Sequence, residues 1–373
     1  MKTKFKSTIR ATFCSFGGAV CAGVILLIAS SAPATYAGVT YSVTGLGTLS
    51  GGSSYAYGIN NSGQVVGYST TSFNQTHAFI YSGGSMTDLG TLFGSWSQAY
   101  AINDQGQVVG GSDGRAFLYS GGSMYNLGML GTLNSTAYGI NNNGQVVGTT
   151  SIPGGAYHGF IKGSGPMTDL GTLGTGSGAN SINNNGQVVG GYITTSGAYG
   201  SYLYNGGTMR DLPNTFGGQN TFATAINESG QVVGYASTPN GAQHAFLYSG
   251  GSMIELGTLG DNEFSRAYDI NNNGQMVGEG TSGASWHAIL FDGQTVIDLN
   301  SLISQNSGWT LNHASGINDS GEITGWGTDP LGRTEAFLLT PIPEPATVSL
   351  LAFGAAVWFL IRAPEAIQRR VKR

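Results

Sequence analysis

The sequence predicts an all-β chain, a seven-bladed β-propeller of four-stranded antiparallel blades, and three observations carry that prediction. First, a phrase of the form Ala-x-x-Ile-Asn-x-x-Gly-Gln returns along the chain, with its Ile at 59, 102, 140, 182, 226, 270 and 317. The last copy has Glu322 in place of Gln, and copies follow one another at intervals of 38 to 47 residues. Self-similarity at such a period means one supersecondary unit repeated. Second, Gly makes up 63 of 373 residues while only 9% are charged, which fits many tight turns in an all-β array. Third, the number of strands at the two ends does not match, and closing a ring repairs the mismatch.

Each copy carries four short apolar runs, strands a to d. In the second copy they are Ala99-Tyr100-Ala101-Ile102, Gln107-Val108-Val109-Gly110, Arg115-Ala116-Phe117-Leu118-Tyr119 and Met124-Tyr125-Asn126-Leu127. The a–b link is Asn-x-x-Gly, where Asn opens the turn and Gly supplies a positive φ. The c–d link is Ser-Gly-Gly-Ser in three copies, a tight hairpin signal. Each copy is therefore a meander whose two apolar faces need a neighbouring copy on either side.

Runs a, b and c occur seven times, the last c run being Ala336-Phe337-Leu338-Leu339, but internal d runs occur only six times. The seventh stands at the start: Val43-Thr44-Gly45-Leu46-Gly47-Thr48-Leu49 matches Met86-Thr87-Asp88-Leu89-Gly90-Thr91-Leu92. An N-terminal strand completing a C-terminal sheet closes a propeller and protects the edge that an open stack would expose. Strand a is expected nearest the axis. Ala stands three residues before the Ile in all seven copies, and the residue just before the Ile is Gly, Ala, Gly, Ser, Ala, Asp or Gly.

The repeats resemble the HAF family of extracellular repeats, named for a tripeptide seen here as His77-Ala78-Phe79 and His244-Ala245-Phe246. Other copies depart from it, as in Arg115-Ala116-Phe117, His158-Gly159-Phe160 and Gly200-Ser201-Tyr202. The resemblance spans roughly residues 40–340 and implies fold and location, since that family brings no established activity. The Trp-Asp dipeptide of WD40 blades is absent from the copies.

Residues 1–37 read as a secretory signal peptide. Lys2, Lys4, Lys6 and Arg10 precede an apolar run from Gly17 to Ile28, and Thr35-Tyr36-Ala37 offers a cleavage site. A lipoprotein leader would need a small residue before Cys21, and Val20 stands there. Cys14 and Cys21 are the only cysteines, so the mature chain would fold without disulfides.

The other end, 342–373, is also an address. Pro343-Glu344-Pro345 precedes an uncharged run, Ala346 to Ile361, and then Arg362, Arg369, Arg370, Lys372 and Arg373. As a helix that run would measure roughly 24 Å, somewhat short of a ~30 Å hydrocarbon core, with its basic end held on the cytoplasmic side. The tripartite tail resembles the PEP-CTERM sorting signal, which implies Pro343, Glu344 and Pro345 as the sorting motif. It also implies an exosortase-type enzyme as a processing partner beside signal peptidase. An ordinary single-span anchor is the alternative; both place residues 38–341, the propeller, outside the inner membrane.

Between the two ends lie only five basic residues against 17 acids, Asp88 to Glu335. Such a surface repels a phosphate backbone, so nucleic acid is not an expected partner. The b–c and d–a links vary in length and share one face of a propeller, where binding loops usually sit. Trp96, Trp286, Trp309 and Trp326 lie in or beside them, the last three in blades six and seven. Flat aromatic faces beside Asp and Asn suit sugar rings, so Trp286, Trp309 and Trp326 are candidate glycan contacts and extracellular polysaccharide a candidate partner.

Neither a cofactor nor a metal is expected. His77, His158, His244 and His287 occupy equivalent positions at least ~10 Å apart, whereas Zn–N bonds are ~2 Å. Turns such as Asn271-Asn272-Asn273-Gly274 carry amides where calcium wants carboxylates. Asp269 is the one charged residue in the crowded strand-a position and a candidate channel-lining group. With Asp261, Glu263 and Glu279 it raises the possibility of a glycosidase carboxylate pair, but spacing assigns no partner. No nucleophile elbow, metal-binding helix or phosphate loop is present, and no enzyme is expected. The sequence thus points to a structural or adhesive role in an extracellular polysaccharide matrix. A glycan-binding module is the alternative, and a polysaccharide hydrolase or lyase a distant one.

Overall fold

Strand-forming runs bounded by turn residues fill the computed structural model, which describes residues 39–260, 264–293 and 295–343. The leader, Asp261, Glu263, and the tail from Glu344, with Pro345 and the apolar run, lie outside the described residues. Pro343 is the last described residue and is exposed. Among the described residues no helix is long and apolar enough to cross a membrane.

The described strands number 28 and form seven antiparallel sheets of four, each in the order a-b-c-d. Blade 1, for example, runs Ser50–Ile59, Val65–Thr71, Thr76–Ser82 and Ser85–Asp88. Blade 7 has Thr310–Ile317, Ile323–Thr328 and Thr334–Ile342, and its fourth strand is Thr40–Gly45. Val43 pairs with Leu339, Thr44 with Leu338 and Gly45 with Phe337, and the Leu46 N–H donates to the Ala336 carbonyl at 2.9 Å. The ring is closed by the N-terminal strand, as the end count predicts.

Turn chemistry follows the local residues. Gly63 of the first a–b turn has φ 71°, and the Gly83-Gly84 pair of the first c–d turn has φ 58° and 84°. Positive φ at both central positions is a type I′ hairpin. The Gly of Val-Val-Gly has a different cause. At Gly234 a Cβ would lie 1.9 Å from the Phe222 carbonyl oxygen, and its six counterparts are equally crowded.

The core is a set of layers between blades. One layer joins Val66, Ala78 and Leu89 of blade 1 to Ala99, Ile102, Val108 and Phe117 of blade 2. The layer that closes the ring joins Ala336 and Leu46 to Ala56, Val65 and Phe79. The strand-a alanines and the strand-c rings Phe79, Phe117, Phe160, Tyr202, Phe246 and Phe337 are fully buried. Burying each such ring contributes about 1.5–3 kcal/mol, and no blade achieves it alone.

Polar staples set the spacing between blades. The Ser97 hydroxyl donates to the Gly90 carbonyl at 2.6 Å and accepts from the Ala78 N–H at 2.8 Å. Across the closure Ser54 does the same with Gly47 and Ala336.

At the a–b turns, the Asn of Ile-Asn donates through Nδ2 to the carbonyl of the equivalent Asn in the next blade. Asn60 bonds Asn103 at 3.0 Å, and the sequence continues through Asn141, Asn183, Asn227, Asn271 and Asn318 back to Asn60 at 3.1 Å. This circular belt is part of why Asn returns in every copy; in the first copy three of the four side-chain bonds stay within the turn and only the fourth joins blades.

Candidate functional site

In every blade strand a slips register by one residue against strand b just after its Ala. A bulge re-aims the side chain it releases. Here the released residues, among them Tyr57, Tyr100, Tyr138 and Tyr268, line the axial channel.

The residue just before that Ala pairs across strands with the residue just after Val-Val-Gly, at the variable-link end of the blade. In blade 5 this pair is Phe222 and Tyr235, in blade 6 Arg266 and Glu279, in blade 7 His313 and Trp326. The blade 6 ion pair is thus flanked by aromatic pairs on both sides. Arg266 Nη1 donates to Glu279 Oε1 at 2.9 Å, and Nε donates to Gln243 Oε1 at 2.8 Å. The guanidinium carbon lies 4.8 Å from the Trp286 ring centre and 5.2 Å from that of Tyr235. Both are within cation–π reach.

Glu279 is 7% exposed. Besides Arg266 it accepts from the Tyr268 hydroxyl at 2.7 Å and, through Oε2, from His313 Nδ1 at 2.7 Å. Burial by itself would push this carboxyl up. The His313 bond and charge, the Tyr268 bond and the Arg266 charge outweigh it and hold the group below the usual carboxylate range. Glu279 therefore stays ionised at neutral pH and orients its three donors.

His313 in turn stacks on Trp326, with centroids 5.1 Å apart and planes at 11°. Asn312 Nδ2 donates to the Trp286 carbonyl at 3.1 Å. Arg266, Glu279, Ser285, Trp286, Asn312 and Trp326 line an open cleft of about 620 Å³. Its two indoles are held from behind by polar groups that already have partners. Such a cleft can stack planar apolar faces and offer a guanidinium edge.

The structure divides the sequence candidates. Trp286 and Trp326 share the cleft. Trp309 does not join them: it packs edge-on against Phe337, 6.3 Å between centroids, in the core layer of blades 6 and 7. It also covers Gly45 of the closing strand, where a Cβ would come 3.0 Å from the indole, so its position braces the closure. Trp326 lies within strand b, not in a link. The four equivalent histidines each hold a carboxylate on their own strand d, as in His77 with Asp88 at 2.8 Å and His287 with Asp298 at 2.6 Å. The fifth, His313, had no counterpart in the tripeptide pattern, and only the cross-strand register reveals it. The same register singles out Arg266, which the loop-centred reading missed.

Asp269 lines the axial channel, apart from the cleft. Its two oxygens accept from the backbone N–H of Ile270 and, across the blade boundary, of Ile317, each at 2.9 Å. Part of its surface meets the channel lumen, but the carboxylate sits deep between strands. That burial pushes its pKa up to about 7 against the two N–H bonds, helped by the charge of Asp319. Because this lies above the unfolded-state value near 4, the group's contribution to stability is complete in acid and lost as pH rises through 7. Glu279, shifted the opposite way, loses its contribution only on the acid side. Between pH 5 and 8 the thermal midpoint should therefore fall more steeply for the native chain than for Asp269→Asn. Parallel slopes in a pH series of thermal scans would refute the assignment.

No protein-family model matches the chain, and no curated protein matches it. Solved structures do resemble it. A Mycobacterium tuberculosis puromycin-hydrolyzing peptidase superposes with TM-score 0.50 at 13% identity, over 80% of this chain and 56% of that one. An extracellular domain ascribed to a hybrid two-component system of B. thetaiotaomicron gives 0.50 at 11% identity, over 83% and 42%. The Pyrococcus horikoshii acylaminoacyl peptidase gives 0.45 at 11%, over 80% and 54%. The chain thus spans about half the length of each of these proteins, and at such identities the likeness to the first two is one of fold alone.

Proposed function

We propose that this chain is an exported repeat protein with a structural or adhesive role in an extracellular polysaccharide matrix, and that it contacts glycan through the cleft of blades 6 and 7. The observation that carries the reading is the pair of indoles, Trp286 and Trp326, held open at one face by the Arg266–Glu279–His313 network. Two buttressed flat rings in one cleft with a guanidinium suit the apolar faces and hydroxyls of sugars, and the sequence of both ends supports export and sorting by a PEP-CTERM-type signal. The rigid ring, with its partners bonded from blade to blade, suits a scaffold.

Affinity electrophoresis through gels containing polysaccharide tests the contact. The native protein should be retarded, and Trp326→Ala or Trp286→Ala should weaken binding about tenfold each, equivalent to about 1.4 kcal/mol. Unaltered circular dichroism would show the fold intact. Native protein that migrates freely in neutral and acidic polysaccharides alike would overturn the reading.

A further inference from the structure

The cross-strand pair that makes the first cleft takes another form in blade 4, where it is Gly178 and Gly191. Blade 5 has Phe222 and Tyr235 at these places and blade 1 has Tyr55 and Tyr68, so blade 4 carries a notch where others carry rings. The notch opens into a cleft of about 520 Å³ on the same face. Its walls are Tyr157 from blade 3, Tyr192 and Tyr199 from blade 4, and Phe222 from blade 5. Tyr199 is 49% exposed and Tyr157 39%, so these rings face solvent instead of filling the core.

The walls are fixed. The Tyr192 hydroxyl donates to Asp211 Oδ1 at 2.9 Å, and the Tyr199 N–H donates to Asn220 Oδ1 at 3.0 Å. Asn180, also in the cleft, spends its Nδ2 on the Ala223 carbonyl at 2.8 Å and keeps its Oδ1 available as an acceptor. Among the described residues no Asp, Glu, Lys or Arg lines the cleft, in contrast to the first one. A run of ring contacts joins the two. Trp326, His313, Tyr268, Tyr235, Phe222 and Tyr199 follow one another with centroids 4.6–6.3 Å apart.

We propose that the Gly178–Gly191 notch is a second carbohydrate site, selective for uncharged sugar, so that one molecule engages glycan at two places on one face. The inference rests on the glycan reading of the first cleft and extends it. Sugar fits better than an acyl chain because the cleft is open, three of its four wall rings carry hydroxyls, and its floor is glycine backbone. Neutral sugar fits better than acidic sugar because there is no cation to meet a carboxylate.

The structure supplies a clean variant. A Cβ at Gly191 would meet only the Gly200 carbonyl oxygen at an ordinary 3.5 Å, whereas one at Gly178 would strike Thr149 Oγ1. Gly191→Tyr therefore fills the notch with the residue blades 1 and 5 carry, and should leave the thermal midpoint unchanged. Calorimetric titration of the mature chain with a neutral β-glucan hexasaccharide should give two sites. Gly191→Tyr or Tyr199→Ala should leave one, Trp326→Ala the other, and the Gly191→Tyr/Trp326→Ala double variant none. One site lost only with Trp326→Ala overturns the second site and spares the first. One site lost only with Gly191→Tyr supports the notch and overturns the first. Two sites persisting in Gly191→Tyr, no binding at all, or displacement from the notch of a fluorescent fatty acid without any sugar binding each overturns the proposal.

Discussion

Asn227→Ala is expected to lower stability by about 3–4 kcal/mol, and Asn227→Asp to do no better. Asn227 is 3% exposed and makes four hydrogen bonds. Oδ1 accepts from the N–H groups of Ser229 and Gln231 at 3.1 and 3.0 Å, which builds the a–b turn. Nδ2 donates to Gln231 Oε1 of the same turn at 2.8 Å and to the Asn271 carbonyl of blade 6 at 3.1 Å, the second of which builds the belt. Alanine removes all four, at about 0.5–1.5 kcal/mol each, although the Asn271 carbonyl keeps the Gly274 N–H at 3.1 Å. For a chain of this size such a loss shifts the thermal midpoint downward by about 6–15 °C. Aspartate keeps both turn bonds but sets an oxygen against two acceptors, Gln231 Oε1 and the Asn271 carbonyl. Calorimetric scans separate the two roles. An aspartate variant as stable as the native chain would mean that the turn matters and the belt does not.

The larger effect belongs to the closing strand. Deleting residues 40–45 should abolish the cooperative unfolding transition and yield an aggregating or strand-exchanging chain. The deletion strips Tyr41, 2% exposed, from the core and breaks the ladder from Thr40 with Ile342 to Gly45 with Phe337. It also unseats Leu46, 4% exposed, from the layer between blades 7 and 1. The two side chains alone contribute about 3–6 kcal/mol, against a typical total of 5–15 kcal/mol. The strand Thr334–Ile342 would become a bare edge, a template for pairing with another chain. Rejoining residues 40–46 after Ile342 through a Ser-Gly-Gly-Ser link, the turn used by three other blades, should restore a monomer. Size-exclusion chromatography reads the result. A deleted chain that stays monomeric and unfolds sharply would show that closure is dispensable.

These two cases mark how far the sequence could be read. The matching of Val43 to Leu49 with Met86 to Leu92 was visible in the letters, because a strand keeps its pattern wherever it pairs, and the count of runs left one vacancy for it. The Asn of Ile-Asn was equally visible, yet it read only as a turn former: three of its four bonds reach two or four residues on, whereas one of its two Nδ2 bonds reaches a residue 44 away. The glycan candidates divided in the same way. Trp286, Trp309 and Trp326 looked alike as aromatic residues near variable links, but an indole's direction depends on which strand it pairs with. Trp309 turned to the core, and Arg266, Glu279 and His313 came forward instead.

What the sequence alone determined is therefore the ring: seven units, their strands and turns, the strand nearest the axis and the strand that shuts the circle. All of these follow from forces between near neighbours and from the need to bury two apolar faces per sheet. The tertiary structure alone decided the belt of Asn side chains, the two backbone donors that hold the channel carboxylate of Asp269, and the two clefts of one face. Each depends on the one-residue bulge in strand a and on the register of strand a against strand b, which together bring residues from neighbouring repeats within a few ångströms.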